Sequence, residues 1–297
     1  MKNKRNHRMG IAAAVFYFTF AGFCQSIQAQ SQMKFRLVHD TVVIVTLTAN
    51  DEGPFDFVLD TGTNTSIVDP SLARRLSLAA LDRIQLTTLG GTQTVVRSSL
   101  RTLAAGPAHV ENVEILVQDL SELRGVDSRI QGIVGQNFLS HFNYLLDYRN
   151  RSLRIEQGAE IRETIAGDPV RVEVSDDKML VASEVQSRGE AKLRLLLDSG
   201  ASMVTLVHKP ALALDGATRE SWLELSASGQ AGWKVGRIRA LLVGPEKFHH
   251  LDVALPDAQP ADAERIEDGV LPTALFKAIY VNNRDSFVVF NPRIKKN

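Results

Sequence analysis

Two short stretches of this chain say nearly the same thing, and any fold it adopts must accommodate both. Residues 55–63 read Phe-Asp-Phe-Val-Leu-Asp-Thr-Gly-Thr, and residues 193–201 read Leu-Arg-Leu-Leu-Leu-Asp-Ser-Gly-Ala. Each is an apolar run of the length of a buried strand. Each ends on a carboxylate, Asp60 or Asp198, followed by a hydroxyl residue and a glycine, where the backbone can turn sharply. An ionisable group closing a buried strand is costly unless something pairs it or hydrogen-bonds it. Two of them in matching places predict that they meet.

The repeat reaches well beyond the tripeptide. The offset of 138 residues that carries Asp60 onto Asp198 also carries Gly91 onto Gly229, Leu103 onto Leu241 and Gly106-Pro107 onto Gly244-Pro245. With a slip of one residue, Gly132-Ile133-Val134 maps onto Gly269-Val270-Leu271. One Asp-Thr-Gly is a weak motif, but two of them in a chain that repeats through several landmarks read as an internal duplication. The 297 residues, 44% of them hydrophobic, suffice for two modest lobes.

Lys2, Lys4, Arg5 and Arg8 precede an almost wholly apolar stretch from Ile11 to Cys24, and small and polar residues follow to Ala29. That is the layout of a secretory signal over residues 1–29. The apolar stretch is short for a membrane span, which needs about 20 residues. Its removal takes away Cys24, the only cysteine, and leaves no disulfide and no thiol nucleophile. The expected location is the bacterial periplasm or the exterior, with no stable membrane span after signal removal. The remainder has a small acidic excess, so nucleic acid is not an expected partner.

The rest divides into a first lobe over residues 30–157, a polar linker over 158–169 and a second lobe over 170–297. In the first, Thr41 to Thr48 reads as a strand, Asp51-Glu52-Gly53-Pro54 as a turn, and Asp69-Pro70 as the cap of a short helix with Leu72 and Leu76 inward. Ile84 to Leu89 and Thr94 to Leu100 flank Gly90-Gly91 as a hairpin. Val113 to Val117 is a strand, Gln136 to Phe142 a helix, and Tyr144 to Asp147 with Ser152 to Ile155 a closing hairpin. The second lobe repeats this scheme, with a glycine-rich hairpin at Ser226 to Gly236, an acidic loop at Asp257 to Asp268 and a last strand at Phe287 to Phe290.

If the two acidic turns face each other, their carboxylates share one proton and titrate as a coupled pair. One can take a proton from a water between them while the other gives a proton to a substrate carbonyl. No metal or other cofactor is called for. Thr61 and Ser199 would hydrogen-bond the opposite lobe, and Gly62 and Gly200 would let the backbone approach each carboxylate. Thr63 offers Asp60 a hydroxyl that Ala201 cannot offer Asp198, which should raise the Asp198 pKa and move an activity optimum toward less acidic pH. Asp147 and Asp285 read as turn residues, and His249-His250 as solvated positions rather than a metal pair. No serine- or cysteine-triad motif or phosphate-binding loop is present.

These residues resemble the aspartic peptidases of the pepsin and retropepsin group, over roughly Phe35 to Pro292. The resemblance rests on the two Asp-Thr/Ser-Gly turns, the glycine-rich hairpins and the apolar-apolar-glycine element Ile133-Val134-Gly135, whose second copy has Pro272 in place of the glycine. It implies a mostly-β, bilobal acid-protease fold with two pseudo-twofold-related, barrel-like lobes, resembling a retropepsin dimer fused into one chain and otherwise monomeric. It implies Asp60 and Asp198 as a catalytic dyad, supported by Thr61, Gly62, Thr63, Ser199, Gly200 and Ala201. It implies flaps over the substrate at Leu89, Gly90 and Gly91 and at Gly229, Gly232 and Trp233. The expected substrate is a peptide or unfolded protein, laid as a strand and cut internally. The alternative is a catalytically weak or inactive peptide-binding protein of the same fold.

Overall fold

The computed structural model describes residues 31–88, 91–156, 161–207, 215–223, 231–256 and 266–295. The signal-like segment, the hairpin tip Leu89-Gly90 and Gly229 lie outside the described residues. No helix among the described residues is long and apolar enough to cross a membrane.

The molecule is mostly β, and the duplication is visible strand by strand. In the first half, an eight-stranded sheet runs in the order Arg36–Val38, Val42–Ala49, Glu52–Leu59, Ile130–Val134, Ser66–Val68, Ala108–Val117, Gly91–Ala105, Asp82–Thr88. In the second half the order is Val170–Ser175, Lys178–Gln186, Glu190–Asp198, Gly269–Pro272, Val204–Leu206, Glu246–Pro256, Ala231–Val243, Asp215–Leu223. The two lists correspond place for place. Each half is also curled on itself by one further pairing, Val42–Ala49 with Gly91–Ala105 and Lys178–Gln186 with Ala231–Val243. That curling gives each lobe its barrel-like form.

The halves are joined by a sheet as well as by the chain. Ser31–Lys34 pairs with Ser152–Ile155, which pairs with Tyr144–Asp147. Tyr144–Asp147 then pairs antiparallel with Ala278–Asn282 of the second half, with Tyr144 opposite Val281 and Asp147 opposite Ala278. Ala278–Asn282 continues through Phe287–Phe290 to Val170–Ser175. Residues alternate faces along such strands. Tyr144, Leu146, Ile279 and Val281 enter the main core, which runs through both halves. Leu145, Ala278 and Tyr280 face the other way and are covered by Ile161 and Ile165. The stretch expected to be linker therefore contains structure: Ile161–Thr164 is a short helix, and Ile165–Ala166 pairs with Arg293–Ile294, a strand beyond the one expected to be last.

Local departures from the sequence reading have local causes. The hairpin turn falls on Asn50 and Asp51, whose φ values are 52° and 65°, and Pro54 lies inside the following strand. Asn and Asp tolerate this left-handed backbone better than most residues. The helix after Gly135 spans only Gln136–Leu139, and Phe142 leaves it to pack at 5.3 Å on the Phe138 ring. His249 and His250 lie within the strand Glu246–Pro256, both exposed. His250 has φ 52°, which breaks the alternation expected there. The helix Pro70–Arg75 forms as read, with Asp69 capping the Ser71 N–H at 2.9 Å and Leu72 and Leu76 buried.

Candidate active site

Each acidic turn is delivered by a strand held on one side by a parallel neighbour. Glu52–Leu59 lies parallel to Ile130–Val134 with Leu59 beside Val134, and the Asp60 N–H donates to the Val134 carbonyl at 3.0 Å. Glu190–Asp198 lies parallel to Gly269–Pro272 with Asp198 beside Pro272. Both carboxylates are thereby pushed out of the apolar layer formed by Leu59 and Leu197, each fully buried.

Four hydrogen bonds clamp the two turns together. The Thr61 N–H donates to Ser199 Oγ at 3.0 Å, and the Ser199 N–H donates to Thr61 Oγ1 at 3.0 Å. The hydroxyls complete the exchange: Thr61 Oγ1 donates to the Leu197 carbonyl at 2.8 Å, and Ser199 Oγ donates to the Leu59 carbonyl at 2.7 Å. Thr61 and Ser199 are almost wholly buried, 2% and 1% exposed, so these bonds form out of water, where leaving a partner unsatisfied is costly. Each hydroxyl both donates and accepts, as Ser and Thr can.

The clamp brings the carboxylates to one place. A Cβ on Gly62 would fall 2.6 Å from Asp198 Cγ, and one on Gly200 would fall 2.9 Å from Asp60 Cγ. Each glycine therefore faces the opposite half's aspartate, and any side chain there would separate the pair. Asp60 receives the Gly62 N–H at 2.8 Å and Thr63 Oγ1 at 2.7 Å. Asp198 receives the Gly200 N–H at 2.6 Å and a backbone hydrogen bond from Ala201. Burial, the facing Asp60 charge and a hydrogen bond to Asp60 hold the Asp198 carboxyl well above the usual carboxylate range, against the pull of those backbone donors.

Several supporting residues have no signature in the sequence. Gln136 Nε2 donates to the Thr61 carbonyl at 2.8 Å, and Asn64 Nδ2 donates across the halves to the Asp176 carbonyl at 2.7 Å. Tyr148 reaches from the first half to the Thr273 hydroxyl of the second at 2.5 Å, beside Asp198, and burial raises its phenol pKa. Asp147 is a turn residue as read, accepting the Asn150 N–H at 3.0 Å and Asn150 Nδ2 at 2.7 Å. Asp285 likewise accepts from Asn282 Nδ2 at 3.1 Å.

The residue after Ile133-Val134 differs between halves. In the first, the Gly135 N–H donates to Ser66 Oγ at 3.1 Å, and Asn137 Oδ1 accepts from both the Ser66 N–H and its hydroxyl. By strand register, the second half places Val204, Pro272 and Ala274 where these three stand. Proline has no N–H to donate, and valine has no oxygen to accept it.

Of the candidate flap residues, Gly91 begins the strand Gly91–Ala105 and pairs with Thr88, closing a hairpin whose tip lies outside the described residues. Gly232 and Trp233 lie in Ala231–Val243, opposite Trp222 and Ser221, in the corresponding hairpin of the second half.

Residues 45–138 match the family model described as aspartyl protease. The match holds Asp60, Thr61, Gly62 and the Ile133-Val134-Gly135 element, and stops short of the second copy. No curated protein sequence matches the chain. Among solved structures the chain is similar to a retropepsin-like aspartic protease from Rickettsia conorii, at 16% identity, covering 42% of this chain and 89% of that one, with a TM-score of 0.31.

Proposed function

We propose, from the aspartyl-protease match over residues 45–138 and the facing acidic turns, that this chain is an endopeptidase that hydrolyses extended peptides with a water activated between Asp60 and Asp198. The observation that carries this reading is the reciprocal Thr61–Ser199 clamp, which sets both carboxylates against each other's glycine. Asp198, whose carboxyl pKa is held well above the usual range by burial and the facing Asp60, supplies the shared proton, and Asp60 takes the proton of the water. Water between them gives its proton to Asp60 as its oxygen attacks the peptide carbonyl, and Asp198 protonates the carbonyl oxygen. The tetrahedral intermediate collapses as a proton passes to the leaving nitrogen, with no covalent enzyme intermediate.

The substrate is an unfolded segment that lies as a strand between the two glycine-rich hairpins, held by main-chain hydrogen bonds. One chain supplies both halves, so the working unit is a monomer. The basic and then apolar first 29 residues support export to the periplasm or beyond.

The test is incubation of the mature chain with a denatured protein between about pH 3 and pH 8, with and without a hydroxyl-bearing transition-state mimic. Cleavage that is blocked by the mimic and lost in both Asp60→Asn and Asp198→Asn supports the proposal. Tight peptide binding without cleavage by the unaltered chain overturns it in favour of a binding protein.

A further inference from the structure

On the outer face of the sheet that joins the halves, where Leu145 and Tyr280 point away from the main core, lies a cavity of about 550 Å³. A second cavity of about 400 Å³ adjoins it, sharing Asn143, Glu156 and Arg284. The larger one is lined by three arginines from three separate segments. Arg162 comes from the short helix Ile161–Thr164, Arg171 from the strand Val170–Ser175, and Arg284 from the turn before Phe287–Phe290. Half-buried Phe287 supplies an aromatic wall, with the fully buried Tyr280 behind the lining.

The two carboxylates in the lining are occupied by neutral donors. Glu156 Oε1 accepts the Tyr280 hydroxyl at 2.9 Å and the Ile161 N–H at 2.6 Å, while Oε2 accepts Asn143 Nδ2 at 2.8 Å. Asp285 is bonded to Asn282. Among the described residues neither Arg162 nor Arg171 forms an ion pair. Among the described residues the Arg162 guanidinium makes two long contacts, to the carbonyls of Ile165 at 3.3 Å and Gly167 at 3.4 Å. Like charges gathered around a cavity repel one another, and guanidinium groups are well suited to bind carboxylate or phosphate oxygens two at a time. The volume falls in the range of small-molecule sites, about 300–1,000 Å³.

We propose that this cavity binds a small organic anion, a carboxylate or phosphate group on a compact apolar body. The anionic group meets Arg171 and Arg162, and the body lies on Phe287. Asn143 and Glu156 belong to the first half and Arg171 and Phe287 to the second, so the ligand bridges the sheet that unites them. Its site is separate from the dyad, and the test needs no catalysis.

Thermal unfolding of the full mature chain, carrying Asp60→Asn to remove activity, is followed with inorganic phosphate, phenyl phosphate and citrate against sodium chloride at equal ionic strength. The expected result is a rise in Tm of about 5 °C at a hundredfold excess over Kd, larger for phenyl phosphate than for inorganic phosphate. Preference for citrate instead identifies a polycarboxylate as the ligand class. Arg171→Glu, at an exposed position, should keep the unliganded Tm within about 1 °C and weaken binding at least tenfold, and Arg162→Gln should do the same to binding. No rise with any of the three anions, or a rise equal in chloride, overturns the proposal. So does a rise that survives Arg171→Glu. If Arg171→Glu lowers the unliganded Tm and no anion has any effect on the parent chain, the arginines serve only to balance Glu156, which also overturns it.

Discussion

Gly135 gives its N–H to the hydroxyl of Ser66, and the second half has dispensed with both ends of that bond. Pro272 lacks the donor and Val204, buried at 1% exposure, lacks the acceptor. Had only one partner changed, a buried polar group would stand unpaired behind Asp198. Pro272 has φ −62°, a value proline adopts without strain. It therefore keeps the parallel register that supports Asp198.

This pairing predicts a coupled mutant cycle. Val204→Ser alone puts an unpaired hydroxyl into the core and should cost about 1–3 kcal/mol. Pro272→Gly alone restores chain freedom in the unfolded state and should cost about 0.5–1 kcal/mol. The double variant should be more stable than the sum of the two by about 1 kcal/mol, read from urea unfolding. Simple additivity would mean that the two positions do not share a bond as Ser66 and Gly135 do.

The clamp should govern stability as well as chemistry. Ser199→Ala removes one hydroxyl but strands the Thr61 N–H and the Leu59 carbonyl, both buried. A loss of about 2–4 kcal/mol is expected from two unsatisfied groups. Denaturant midpoints at constant m-value would report it, with peptide cleavage falling in the same variant even under conditions where it is folded.

The raised Asp198 pKa fixes the direction of two pH effects. Its folded value lies above the 3.8 of a free aspartate side chain, so the folded chain keeps a proton that the unfolded chain has released. The stability it contributes is complete below 3.8 and is lost as pH rises through the raised value. Asp198→Asn should therefore stabilise the protein at neutral pH and flatten that part of the stability profile. Activity should fall over the same range as Asp198 loses its proton. Ala201→Ser, which adds a hydroxyl donor like that of Thr63, should move this limb of the kcat/KM profile to lower pH. A limb that does not move would show that the added hydroxyl fails to reach Asp198.

Asp69 is the cap of the first helix and also holds Arg124 and the Leu120 N–H. Asp69→Ala should cost about 2 kcal/mol, the upper end for an N-cap, in thermal unfolding. Asp69→Asn should recover part of this, because the amide oxygen can still cap Ser71.

The facing acidic turns were legible because the chain repeats itself: two Asp-hydroxyl-Gly turns at one offset need no tertiary information to be compared. Thr61 and Ser199 were legible for the same reason. Tyr148 was not, because it is one aromatic after a turn aspartate, and the Thr273 hydroxyl it meets is 125 residues away. Gln136 and Asn64 are equally silent, since a single amide carries no pattern until the backbone folds around it. Residues 158–169 read as linker because their polar content hid Ile161 and Ile165, which are four apart and together cover the outer face of the joining sheet.

That joining sheet also alters what substitution can do to the protein. Two identical subunits would have to carry every change in both copies, so a proline behind one aspartate would appear behind the other as well. Once Tyr144–Asp147 and Ala278–Asn282 are zipped within a single polypeptide, each acid can be given its own surroundings. Asp60 and Asp198 already differ in this way, with Thr63 and Gly135 beside the one and Ala201 and Pro272 beside the other.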